Sequence, residues 1–145
     1  MRYLLQFLFI VFLCFSENVQ SQDYSLGKFN VIGTKLQKCG DNPKTGYFRD
    51  GFCHTDPSDQ GTHVVCAKVT KEFLEFTKSK GNDLTTARSN YYFPGLIPGD
   101  NWCLCALRWK EAFMNDKAPE INLSATHSKA LEFIDLIKLK KFKLK

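Results

Sequence analysis

Strand and helix signals alternate through a stretch of domain length, and the sequence therefore predicts a single α+β domain. Removing a 21-residue leader from the 145 residues leaves 124, enough for one buried core without requiring a second. A β-branched run from His63 to Val69 leads through Thr70 into an apolar-periodic stretch that stops at Gly81. Cys105-Ala106 followed by Trp109 to Phe113 echoes Cys66-Ala67 followed by Thr70 to Phe73 at similar spacing, which predicts a second strand-to-helix unit.

Residues 1–21 read as a signal peptide. Met1-Arg2 gives the positive start, Tyr3 to Phe15 is apolar except at Gln6, and Val19-Gln20-Ser21 supplies the cleavage pattern. The expected mature chain begins at Gln22 and is exported, either secreted or periplasmic. The apolar run is shorter than the roughly 20 residues of a spanning helix, so no transmembrane helix is retained. Cys14 follows Leu13 rather than the small residue that lipid attachment needs, and it leaves with the leader.

The domain proper is read as 22–137. Phe29 to Ile32, closed by Gly33, and the aromatic Thr45 to Gly51 both predict short strands. His63 to Val69 is the next strand, and Thr70 is the N-cap of a helix carrying Phe73, Leu74 and Phe76. From Gly81 to Asp100, Gly-Asn-Asp and Pro-Gly breaks forbid continuous helix while the aromatics predict an ordered loop, a suitable pocket wall. Residues 102–108 predict a strand, with a helix following at Lys110-Glu111-Ala112. Ile121 to Ala125 predicts a strand, Thr126 caps a short helix through Phe133, and Asp135 begins the last one.

Net charge stays at +5 after cleavage, since Arg2 and Glu17 leave together. Five lysines, Lys138, Lys140, Lys141, Lys143 and Lys145, lie in the last eight residues, leaving the body formally neutral. Residues 138–145 read as a solvated basic tail, dispensable for folding and able to touch anionic surfaces weakly. The chain carries no specific nucleic-acid motif.

The blocks Asn30-Val31-Ile32-Gly33-Thr34, Thr45-Gly46-Tyr47-Phe48-Arg49-Asp50-Gly51 and Gly61-Thr62-His63-Val64-Val65-Cys66-Ala67 resemble, in order, a bacterial family known as domain of unknown function 2237. So do Gly81-Asn82-Asp83-Leu84, Phe93-Pro94-Gly95-Leu96, Pro98-Gly99-Asp100, Trp102-Cys103-Leu104-Cys105-Ala106 with Arg108-Trp109, and Ala125-Thr126-His127. The resemblance covers nearly all of 29–134 and implies a compact two-layer α+β fold with no established activity. Ala87 departs from it, standing after Thr86 where the family pattern has proline, and the leader and lysine tail fall outside the family's usual span. Leaderless members imply reduced cysteines in those relatives, which weighs against a pure disulfide framework.

Five cysteines remain after cleavage, Cys39, Cys53, Cys66, Cys103 and Cys105, so at least one is unpaired within the molecule. In a strand, Cys103 and Cys105 share one face, with Trp102 and Leu104 on the other. A direct bridge between them is awkward, and Cys39, Cys53 or Cys66 is the better partner for either. Three roles are open to these thiols. With His63 or His127 they can ligate zinc or copper, the reading favoured here, although no Cys-x-x-Cys pair is present. They can carry thiol redox chemistry, given a neighbour that lowers a pKa, such as Arg49, Arg108 or a helix N-terminus. Or they are inert core residues of a binding or structural module, with one disulfide after export.

The remaining constellations exclude more than they assign. His54, His63 and His127 form no His-Glu-x-x-His pair, and neither a Gly-x-Ser-x-Gly elbow nor a phosphate loop is present. Arg49, Arg108, Trp102 and Trp109 make an anion or stacking site, or serve as ion-paired and stacked structural residues. Asn122-Leu123-Ser124 fits a glycosylation acceptor in a eukaryotic host.

Overall fold

A computed structural model describes residues 29–145. The leader and its cleavage site lie outside the described residues. Strand β1 (His63–Lys68) pairs antiparallel with β2 (Asn101–Cys105), matching Val65 to Leu104, Cys66 to Cys103 and Ala67 to Trp102, with a bulge between His63 and Val65. Strand alternation sorts the ribbon into two faces. Val65, Ala67, Trp102 and Leu104 enter the main apolar cluster, whereas Cys66 and Cys103 enter a separate one with Cys39, Cys53 and Ala125.

Each strand feeds a helix, as the echoed spacing predicts. After β1, Thr70 accepts the Phe73 amide at 3.1 Å and starts α1 (Lys71–Ser79), which buries Phe73, Leu74 and Thr77. After β2, α2 (Ala106–Met114) follows with Cys105 as its N-cap and buries Ala106, Trp109 and Ala112 at helical spacing. Trp109 is fully buried, stacks on Phe113 and donates its indole N–H to the Pro119 carbonyl at 3.1 Å. The result is an α+β domain.

The strand predicted over 102–108 stops at Cys105, with Ala106, Leu107 and Arg108 already in α2, and the other predicted strands are corrected too. Only Phe29 and Asn30 of the first segment make bridges, because the Asn30 side chain gathers the backbone into a turn. Its Oδ1 accepts from Ile32 and Thr34, and its Nδ2 donates to Thr34 Oγ1 and the Lys35 and Ser124 carbonyls. Residues 45–51 are turns, with Gly46, Arg49 and Gly51 all at positive φ, which no strand accommodates. Ile121 bridges β1 at Ala67, but Leu123–Ala125 is a 3-10 turn. The next cap is His127 rather than Thr126, whose hydroxyl is taken up between Asn122 O and Cys66 N.

The solvated tail is also corrected. Asp135 precedes α3 (Leu136–Lys141), whose Leu139 is fully buried. Phe142 packs edge-on against Trp109 and Phe113, and backbone hydrogen bonds join Ile121 to Phe142 and Leu144. The lysines alternate with these apolar anchors, so a basic composition conceals a docked segment.

Candidate functional site

Four of the five cysteines among the described residues meet under the ribbon. Cys39 bonds Cys66 and Cys53 bonds Cys103, with Cα separations of 5.7 and 5.2 Å, inside the range that disulfides accept. Each bridge ties the segment before the ribbon to one strand of it. The two bridges are neighbours, for the sulfurs of Cys39, Cys53 and Cys103 all lie within 4.8 Å of one another. Cys105, half-buried, is free. Two bridges form where the sequence reading allowed one, and Cys103 takes a distant partner as its spacing from Cys105 requires.

Beside this layer is a cavity of about 520 Å³ between the 46–49 turn, the 81–93 loop and β2. Arg49 lies over the Trp102 ring, 5.0 Å from its centroid, and donates from Nε to the Tyr91 carbonyl. Burial pushes its guanidinium below the ordinary arginine pKa. Arg88 stands on the opposite loop. Among the described residues, neither arginine has a carboxylate partner. Tyr47, Tyr91, Tyr92 and Phe93 add aromatic walls. Arg49 and Tyr92 are two of the four described non-glycine residues at positive φ, a backbone state that clusters at ligand sites.

His63 also lines the cavity. Its Nδ1 meets Asp59 Oδ1 at 2.6 Å, and the Asp59 side chain is fully buried, held further by Thr55 Oγ1 and the His63 amide. A buried carboxylate fixes the ring orientation and leaves Nε2 for another partner. The ring also stacks near Tyr47, at a centroid distance of 6.1 Å. Asp83 organises the far wall by accepting from the hydroxyls of Thr86 and Thr85 and from their amides, which holds its carboxyl well below the usual range.

The sequence-named residues thus divide. Arg49, Trp102, His63 and Cys103 share the cavity wall, and Cys39, Cys53, Cys66 and Cys103 share the sulfur layer. Arg108 and Trp109 belong to neither: Arg108 pairs with Glu111 at 3.0 Å and donates to the Lys80 carbonyl, and Trp109 is core. His54 stacks on Phe48 and bonds Asp50. Burial alone would raise the Asp50 pKa, but hydrogen bonds from His54 and the Phe52 amide, with the His54 charge, outweigh it and depress it. His127 is fully buried and accepts the Lys129 amide at Nδ1, leaving Nε2 with no hydrogen-bond partner among the described residues. Burial first, then the charges of His54 and Lys129, push its pKa down. Arg88, Asp59 and the tyrosine pair were not picked out from sequence. For Arg88 and the tyrosine pair the signal was the irregular aromatic loop at 81–100, whereas Asp59 lies outside it and carried none.

No curated protein matches the chain. The family model for an uncharacterized protein conserved in bacteria matches residues 29–143, which takes in most of the lysine segment that the sequence reading had left outside the family's span. With the order of the sequence blocks, the two strand-to-helix units and this match in agreement, the chain belongs to the family of domain of unknown function 2237.

Proposed function

We propose that the protein is a disulfide-stapled binding module whose cavity takes a small organic anion with a flat apolar body. The observation that carries the reading is the pair of guanidinium groups without carboxylate partners, Arg49 and Arg88, set among aromatic walls. The anionic end is recognised by the arginines and by His63, and the flat part lies against Tyr47, Tyr91 and Trp102. Calorimetric titration with 2-naphthoate tests this, with neutral 2-naphthamide as control. Naphthoate binds, the amide binds far more weakly, and Arg49→Gln or Arg88→Gln each weakens naphthoate by about tenfold or more, as loss of a charge-assisted hydrogen bond implies. Equal binding of acid and amide would sink the reading.

A second reading is favoured by one specific observation. Cys105, the free thiol, stands opposite His63 in the ribbon register, and His63 is oriented by Asp59. That order of thiol, imidazole and carboxylate suits thiolate chemistry. Iodoacetamide labelling of Cys105 that slows in His63→Asn supports it, and an unchanged rate removes it. Two disulfides suit an oxidising compartment, which supports export through cleavage after Ser21. N-terminal sequencing of the protein from its host should begin at Gln22.

A further inference from the structure

The sulfur layer is built more tightly than two staples require. Cys66 and Cys103 are direct cross-strand partners on one face of the ribbon, and Cys39 and Cys53 join their cluster from the preceding segment, Cys66 reaching the three mutually close sulfurs of Cys39, Cys53 and Cys103 through its bond to Cys39. Cross-strand partners hold their Cβ atoms about 5 Å apart. Cys39 Sγ lies within 4.8 Å of both sulfurs of the other bridge, and Cys66 Sγ is bonded to Cys39. A tetrahedral zinc site with zinc–sulfur bonds of about 2.3 Å places its four sulfurs about 3.8 Å apart. All four cysteine residues are buried, with Ala125 packed among them. The nearby buried hydroxyls of Thr45 and Thr126 accept the Cys103 and Cys66 amides at 2.8 and 3.1 Å.

We propose that reduction converts the two disulfides into a four-thiolate zinc site formed by Cys39, Cys53, Cys66 and Cys103. Each bridge accepts two electrons and two protons from a dithiol reductant, which closes to its own disulfide. Zinc then displaces the four thiol protons to solvent. The metal renews the connection that the bridges made, joining the 39–53 segment to both strands, so the fold survives loss of its covalent links. Four sulfurs in a tetrahedral arrangement select zinc over harder divalent cations. Cys105 lies outside the cluster and is not a ligand. This reading does not rest on what the aromatic cavity binds, although Cys103 borders both.

The test uses the full chain carrying Cys14→Ser, reduced by dithiothreitol and desalted without oxygen. Zinc added to the reduced chain binds at one ion per chain and restores the near-ultraviolet circular dichroism of the oxidised form. Cobalt in its place gives the visible bands of a tetrahedral thiolate complex. Alkylation followed by mass spectrometry then labels Cys105 alone, with Cys39, Cys53, Cys66 and Cys103 protected. Cys105→Ser keeps the metal, while Cys66→Ser releases it to a chelator concentration that leaves the parent loaded. A reduced chain that stays unfolded with zinc, protection of fewer than four thiols, or a requirement for Cys105 overturns the proposal.

Discussion

At His127 one ring has two jobs that conflict at low pH. Nδ1 must stay unprotonated to accept the Lys129 amide, and the buried ring resists charge. Its folded pKa lies below the unfolded value, so on acidification the unfolded chain takes up the proton first. Its contribution to stability is therefore full above about pH 6.5 and is lost as pH falls toward the folded pKa. Melting temperatures followed from neutral pH downward should decline through this window. His127→Asn, which keeps a cap acceptor, should flatten that part of the decline. Gly61 acts on a second histidine: a Cβ there would come within 2.3 Å of the His63 ring. Gly61→Ala should displace the ring from Asp59, weaken 2-naphthoate binding and lower the melting temperature, since the buried carboxylate loses a partner. An unchanged affinity would mean that His63 does not face the ligand.

Among the elements, the legible ones were those whose signal is local. Thr70 before a periodic apolar run wrote α1 into the sequence, and the Cys-Ala echo wrote the second strand-to-helix unit. Alternation also separated Cys103 from Trp102 and Leu104. The segment from Thr45 to Gly51 misled because its aromatics mimic a strand, while its backbone is dictated by contacts that no local pattern reveals. At Gly46, with φ +95°, a Cβ would lie 2.3 Å from the Phe52 carbonyl oxygen. Gly46→Ala should destabilise by about 1–3 kcal/mol or more, read by denaturant melts, since strain and clash act together. The lysine segment misled for the opposite reason, since composition hides Leu139 and Phe142. Leu139→Ala should cost about 2–5 kcal/mol. Deleting 138–145 should lower the melting temperature further, by exposing Trp109 and Phe113; an unchanged melt would show the segment to be merely adjacent. Arg88 was illegible because the cavity is assembled from a turn, a loop and a strand distant in sequence, and Asp59 because it acts behind the wall, through His63.

For the whole molecule, the bridges close loops with sequence separations of 27 and 50 residues. Loop-closure entropy alone assigns them about 3.5 and 4 kcal/mol respectively. In metal-free buffer, the paired changes Cys39→Ala/Cys66→Ala and Cys53→Ala/Cys103→Ala should each destabilise by several kcal/mol in urea melts, the longer loop somewhat more. A loss below about 1 kcal/mol for either would argue that the cluster is held by packing rather than by its covalent links.

The crossed order of those links has a further outcome for the integrity of the chain. A peptide bond cut anywhere between Cys39 and Cys103 leaves its two fragments joined by at least one bridge. The exposed tyrosine loop around Tyr91 and Tyr92, the most accessible aromatic stretch of the cavity wall, falls inside that interval. A protease could therefore open the binding cavity without releasing any part of the molecule, and the nick would show on a gel only after reduction.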